Sequence, residues 1–444
     1  MSCGDVTHVA EHWKKVMINH YKQSFYRNLS LPVILLLLLA FQVFGQNSGK
    51  KSNSSIIIKN PLAMEIKEVV VPVYMEEIKN SNPDFNPLSV LPSIDDNPVF
   101  NEFVPGYKNN KDAILFYLNF KSEEVKEVVF NEQKKESKIP TQPKMTQAYL
   151  GKRTDYTRTD SFYVGGRFES VDYTRVPQDH WSHDGLYKYE GPGWESDKVG
   201  YRFYLDNRNR TDIFGKRIPG MMLDKVGEND LVANGKESYT RMQDWGMDIF
   251  KVGTSLGIGS IAHFHNGKII TVSETDSVIC RIKNNGTLFS RIETKYYGWK
   301  VSDRKVDLLS EISIHSGSRL TRVDILLSDE IGNITTGLAK HLEAKTKLLG
   351  DGKNEWNYLA LWGKQALPGD SLGIAVFYKT SDFIEMSSDN VSEFILLKPD
   401  QNKLTYYFAS AWEKEFNGIK NLNDFIEYLE QTVISLSNPP LVEY

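Results

Sequence analysis

Residues 287–327 read TLFSRIETKYYGWKVSDRKVDLLSEISIHSGSRLTRVDILL. Three runs within this stretch, 287–301, 305–314 and 319–327, are rich in β-branched and aromatic residues. Short polar turns such as His315-Ser316-Gly317-Ser318 separate them, which is the pattern of consecutive strands. Similar runs recur at 268–272, 357–361, 372–378 and 403–411, and earlier at 56–58, 66–74, 113–120 and 125–130. Sequential strands with few helices between them predict an all-β fold, a large antiparallel β-sandwich. One helix is expected near the C-terminus, where Leu422, Phe425, Ile426, Leu429 and Val433 recur on one face. The Pro-, Asn- and Asp-dense stretch 80–107 reads as a long surface loop. The charged, proline-punctuated stretch 132–144 reads as a boundary between an N-terminal β region, 56–145, and the main sandwich, 146–444, the two packed as one unit.

The chain opens with a segment of another kind. Residues 31–44 (LPVILLLLLAFQVF) are apolar apart from Gln42, follow Lys22 and Arg27, and end at the small residue Gly45. A positive flank, a short apolar run and a small-residue cleavage site predict a signal peptide over 1–45, with Met17 an alternative start. The run is shorter than the roughly 20 residues that cross a bilayer. Residues 46–55 (QNSGKKSNSS) form a polar linker. The remainder carries 49 Lys and Arg against 55 Asp and Glu, so no electrostatic case for nucleic-acid binding arises. Of the two cysteines, Cys3 leaves with the leader and Cys280 stands alone, which excludes an internal disulfide and a cysteine zinc site. An exported chain without disulfides is expected in the periplasm of a Gram-negative bacterium.

The residues with chemistry concentrate in 180–217. Read as a strand, 199–206 splits by period two: Val199, Tyr201, Phe203 and Leu205 face one side, Gly200, Arg202, Tyr204 and Asp206 the other. His180, Trp181, His183, Tyr187, Tyr189, Trp194 and Glu195 lie upstream, Arg208, Arg210, Lys216 and Arg217 downstream. Rings that stack on sugar faces and guanidinium forks that hold carboxylates suit an acidic oligosaccharide. On residue type and strand phase, Arg202 is the carboxylate clamp, and His183 and Tyr204 are base and acid in either order. Glu195 orients or substitutes for them, and Trp181, Tyr187, Tyr189, Asp206, Arg208 and Arg210 bind substrate. His263 and His265 lack a third ligand, so no metal or other cofactor is expected.

The string GPGWESDKVGYRFYLDNRNRTDIFGKR, together with KNPLAMEIKEVVVPV and DWGMDIFKVGTSLGIGSIA, resembles a family of exported Bacteroidota proteins catalogued as a domain of unknown function and encoded beside polysaccharide-degradation enzymes. Within it, the nearest likeness is to the oligosaccharide dehydratases of marine bacteria that degrade ulvan. The resemblance implies a galactose mutarotase-like supersandwich and loss of water from the non-reducing-end uronic acid of an ulvan-type oligosaccharide, giving a 4,5-unsaturated uronate. A polysaccharide lyase, a mutarotase-like epimerase and a non-catalytic glycan-binding protein are the alternatives. The leader reading predicts that N-terminal sequencing of the exported protein starts near Gln46; an intact leader in a membrane fraction would contradict it.

Overall fold

The structure, a computed structural model, describes residues 54–133, 143–228 and 238–444. The signal-peptide segment, nearly all of the linker and most of the stretch 132–144 lie outside the described residues. Along Arg304–His315, Val306, Leu308, Ser310, Ile312 and Ile314 are buried while Asp307, Leu309 and Glu311 between them are half-buried. That alternation is what a pleated strand with one face on a core produces.

Strands of this kind assemble into a nine-stranded sheet. Its order is Tyr173–Arg175, Ser277–Asn285, Phe289–Val301, Arg304–His315, Thr321–Leu327, Lys403–Trp412, Leu372–Lys379, Trp356–Gly363 and Thr346–Leu349. Every ladder in it is antiparallel. The longest hairpin slips register between Tyr296 and Trp299. Gly298 sits in that slip at φ +59, and a Cβ there would fall 2.1 Å from Asp276 Oδ2. Only glycine fits.

Two five-stranded sheets cover the inner face. One runs Gly246–Asp248, Thr211–Lys216, Gly200–Phe203, Gly193–Ser196 and Thr146–Tyr149; the other runs Lys268–Thr271, Ala262–His265, Ile334–Ala339, Ser392–Leu397 and Phe383–Ser388. Trp194, Tyr201 and Phe203 from the first, and Leu338 and Ile395 from the second, share a core with Ile312, Val323 and Phe408 of the large sheet. The outer face carries the helix Leu422–Ser437, whose Phe425, Leu429 and Val433 pack on Trp362, Ala375 and Ala409. Asn421 caps it, accepting from Asp424 N at 3.0 Å. The N-terminal strands dock beside it through the Glu102 carboxylate, which accepts from Thr287 N and Leu288 N at 3.1 and 2.7 Å.

The fold is therefore the expected all-β, antiparallel sandwich with a C-terminal helix. The stretch 80–107 is not a long loop: it holds the strands Val90–Ile94, Asn97–Pro98 and Asn101–Lys108, after a short helix Met75–Ser81. Its prolines and asparagines sit at strand edges and turns, where a missing N–H is tolerated. The strand expected over 199–206 is shorter, Gly200–Phe203: Tyr204 N still bonds Arg210 O at 2.9 Å, and the chain then turns at Asp206, whose carbonyl accepts from Asn209 N at 3.1 Å.

Trp194 ties the inner layer to the large sheet. It is buried, stacks on Tyr201 at 5.8 Å and donates from Nε1 to Thr321 Oγ1 at 2.8 Å. Trp194→Ala is expected to lower unfolding stability by about 3–5 kcal/mol in a denaturant titration. A loss below about 1 kcal/mol would contradict this account of the interface.

Candidate active site

Register explains how the polar residues meet. Arg202 lies directly opposite Asp212, and Phe214, two residues on, lies opposite Asp248. Tyr204, two positions beyond Arg202, shares its face. The cluster is therefore assembled by three strands of one sheet. The hairpin that makes it possible is turned by Asp206, whose Oδ1 accepts from Arg208 N at 2.9 Å.

Arg202 is 4% exposed. Its Nε and Nη2 donate to Asp212 Oδ2 at 3.2 and 2.8 Å, and Nη2 also reaches Asp248 Oδ2 at 2.6 Å. Nη1 donates to Tyr239 Oη at 3.0 Å and to the Tyr189 carbonyl at 3.3 Å. Burial opposes its charge, but Tyr204, Tyr239, Asp248 and Asp212 outweigh burial and hold it firmly protonated. Tyr204 Oη donates to Asp212 Oδ2 at 2.5 Å, and burial followed by that carboxylate pushes its pKa well up. Burial, then the charge of Asp212, drives Asp248 toward its neutral form, up to about 8.

Arg202 is thus not a free clamp, because every guanidinium nitrogen already has a protein partner. Tyr204 is likewise sealed under its hydrogen bond. The strand phase put Arg202 and Tyr204 on one face, and in the structure both side chains are engaged by protein groups.

Beside this hub lies a cleft lined by Phe168, His180, His183, Asp184, Gly185, Tyr187, Tyr189, Glu190, Gly227 and Tyr239. Glu190 joins the two. Its Oε1 accepts from Arg208 Nη2 at 2.5 Å and lies 2.7 Å from His183 Nδ1 as an ion-pair contact, while Oε2 lies 3.6 Å from Arg202 Nη1. His183 is 72% exposed in its side chain. With Nδ1 committed to Glu190, Nε2 is the nitrogen left for a ligand. His180 makes a second pair of the same kind: Nδ1 lies 2.7 Å from Asp184 Oδ2, and its buried Nε2 has no hydrogen-bond partner among the described residues. A buried ring nitrogen without a partner is the sort of exception that functional sites contain.

The backbone here is held in unusual conformations. His183, Tyr189 and Glu190 have φ of +63, +38 and +72. Left-handed non-glycine residues each cost of order 1–3 kcal/mol and persist where neighbours enforce them. Gly191 follows, and a Cβ on it would fall 2.1 Å from the Phe203 carbonyl, so this loop can press against the strand only with glycine there.

The remaining candidates divide. Tyr187 and Tyr189 line the cleft, with hydroxyls held by Thr174 Oγ1 at 2.9 Å and the Leu223 carbonyl at 3.1 Å. Arg208 is bound by Asp206 through Nε and Nη2, covers the Tyr204 ring at 4.0 Å, and its Nη1 has no partner among the described residues. Asp206 is spent on that contact and is buried. Arg210 donates to the Ser255 and Arg208 carbonyls and is lowered to about 10 by burial and by Arg208, so it is a loop brace. Trp181 stands outside the cleft lining, 45% exposed. Glu195 is not at the cleft: it is buried, pairs with Lys216 Nζ at 2.6 Å and accepts from Met222 N and Leu223 N at 2.7 and 2.8 Å. Its lone pairs are filled by structure. His263 and His265 stack at 6.0 Å, and no cluster of three or more metal-ligating side chains occurs among the described residues.

Asp212, Asp248, Glu190, Tyr239 and Asp184 were not singled out from sequence, and His180 was named only as a neighbour of the strand. A carboxylate inside an apolar strand, as in TDIFGK and GMDIF, and the four-residue spacing of His180 and Asp184 were the available signals.

A family model described as a domain of unknown function, DUF4861, matches residues 58–442, so the chain belongs to that family. No curated protein matches it. Among solved structures, a glycosyl hydrolase family 38 protein from Enterococcus faecalis aligns at 8% identity and TM-score 0.42, covering 88% of this chain and 47% of that one. An alpha-mannosidase from Enterococcus faecalis V583 aligns at 8% and 0.41, covering 89% and 46%. The chain therefore spans about half the length of those two proteins. A proposed aldose 1-epimerase from Klebsiella pneumoniae aligns at 9% and 0.33, covering 66% of this chain and 96% of that one. At such identities and scores the likeness bears on no activity.

The hub yields a stability test. Asp212→Asn leaves the buried guanidinium short of charge and is expected to destabilise by about 3–5 kcal/mol. Asp248→Asn resembles the neutral carboxyl already favoured there and is expected to stay within about 1 kcal/mol of wild type near pH 4, where that carboxyl is protonated. A carboxyl raised from 3.8 to about 8 stabilises fully below the lower value and loses that contribution as pH rises through the upper one. Unfolding titrations from pH 4 to 9 should therefore show a decline that Asp248→Asn removes; equal losses for both variants would contradict the assignment.

Proposed function

We propose that this DUF4861 member is an exported carbohydrate-active lyase, an oligosaccharide dehydratase that removes water from the non-reducing-end uronic acid of ulvan-type oligosaccharides. The observation that carries the reading is the pair of imidazoles, each with a carboxylate on Nδ1, bordering one tyrosine-lined cleft. β-Elimination needs a group that takes a proton and a group that gives one, and a carboxylate-backed imidazole serves for either. The family resemblance of the sequence supplies the substrate class. Export rests on the apolar leader followed by Gly45.

In this mechanism the uronate ring lies in the cleft against Tyr187 and Tyr189. His183 is the exposed imidazole, and Glu190 on Nδ1–H leaves its Nε2 lone pair to take the C5 proton. The electron pair released from C5–H forms the C4–C5 double bond as the C4–O bond breaks. His180, backed by Asp184, gives a proton to the departing hydroxyl once a shift of the side chain uncovers its buried Nε2, and water leaves. Charge accumulates on the substrate carboxylate during this step, and Arg208, which shares Glu190 Oε1 with His183, is the cationic donor for it. A preorganised donor at such a position contributes about 3–4 kcal/mol to the transition state.

Mass spectrometry of uronate oligosaccharides after incubation with the protein tests the reading. The expected product has lost one water, absorbs as an unsaturated uronate and keeps its chain length. His183→Ala is expected to lower kcat by about 10²-fold or more while oligosaccharide binding persists. Chain shortening, or full turnover by His183→Ala, would overturn it.

A further inference from the structure

Next to the cleft, the protein shows water an aromatic surface that its own packing does not use. Phe162 and Trp181 are 44% and 45% exposed, and their ring centroids lie 5.6 Å apart. Soluble proteins expose single apolar residues routinely, but two large rings in contact on one spot call for an explanation. This pair is also held still. Trp181 Nε1 donates to the Ser161 carbonyl at 2.8 Å, which fixes the indole. Phe162 lies in the turn between Thr157–Arg158 and Tyr163–Val164, closed by Thr159 Oγ1 accepting from Phe162 N at 3.0 Å.

The platform is stitched to the imidazole pair. Tyr163 N donates to the Asp184 carbonyl at 2.7 Å. Asp184 Oδ2 takes both His180 Nδ1 and Trp181 N, at 2.7 and 3.2 Å. One carboxylate therefore positions the cleft imidazole and the first residue of the platform together. A ring bound in the cleft has its neighbour in the chain delivered to a rigid, pre-ordered aromatic face, where little side-chain entropy remains to be lost.

We propose that Phe162 and Trp181 form a stacking subsite for the sugar ring linked to the one in the cleft, so that the protein selects oligosaccharides over free monosaccharides. The proposal rests on the carbohydrate reading of the cleft. Sugar rings present apolar C–H faces that suit aromatic planes, and such a face discriminates by chain length and not by charge.

The test compares binding of a uronate tetrasaccharide and the matching free uronate by calorimetry, in wild type, Trp181→Ala and Phe162→Ala. Trp181→Phe serves as the variant that keeps a ring, and unfolding midpoints establish that each protein is folded. Wild type is expected to favour the tetrasaccharide, and each alanine variant to lose on the order of tenfold of that preference, the equivalent of one modest buried contact. Trp181→Phe should retain most of it. A preference unchanged in both alanine variants overturns the subsite. So does concentration-dependent self-association of wild type that Trp181→Ala abolishes, because the rings would then serve a protein interface. If chain-length preference behaves as expected but no water is lost from the tetrasaccharide, the subsite stands and the dehydratase reading falls. If water is lost with no chain-length preference, the reverse holds.

Discussion

The guanidinium of Arg202, buried between Asp212 and Asp248, is the constraint on which the site depends. A cation removed from water is expensive unless charge and hydrogen bonds replace its hydration, and here every nitrogen is satisfied by the protein. Its partners come from the adjacent strand, from a third strand and from the Tyr189 and Tyr239 segments. Satisfying one side chain therefore fixes the relative positions of pieces of chain that are remote in sequence. Buried ion clusters are weak sources of net stability, and their value lies in specifying one arrangement.

That arrangement is handed on to the cleft through Glu190. The same carboxylate lies against Arg202 on one side and, on the other, accepts from Arg208 and sits 2.7 Å from His183 Nδ1. Its left-handed φ, shared with Tyr189 before it, is a conformation that the hub and the close-packed Gly191 enforce together. His183 is consequently exposed yet not free to wander. An imidazole on a surface loop would ordinarily sample many rotamers; one held by a carboxylate that is itself braced by two arginines stays aimed at the cleft.

Six strands of the large sheet, Phe289–Val301, Arg304–His315, Thr321–Leu327, Trp356–Gly363, Leu372–Lys379 and Lys403–Trp412, were legible as β-branched and aromatic runs, and so was the helix over Leu422–Ser437, whereas Tyr173–Arg175, Ser277–Asn285 and Thr346–Leu349 were not read. The error at 80–107 came from composition: proline and asparagine mark turns, but short edge strands tolerate them. In the site, period two put Arg202 and Tyr204 on one face, where both meet Asp212, while Asp206 lies in the turn beyond the strand. Which residues oppose that face depends on pairing register, and Asp248 is 46 positions from Arg202, so its role was invisible. Glu195 shows the same limit from the other direction. It stood among the aromatics in sequence, yet its strand turns it toward Lys216 and the Met222–Leu223 amides. His180 and Asp184 were visible as residues, but their pairing, and an Nε2 with no partner among the described residues, appear only in the structure.

The central claim is that the carboxylate-backed imidazoles remove a carbon-bound proton and let the neighbouring hydroxyl leave. It is tested most directly by competing ordinary uronate oligosaccharide against the same oligosaccharide deuterated at C5 of its terminal residue and following both by mass spectrometry. The account predicts that the unreacted pool becomes enriched in deuterium while the product appears one water lighter and free of the C5 label. A pool that keeps its starting isotope ratio, with the label retained in the product, would contradict it.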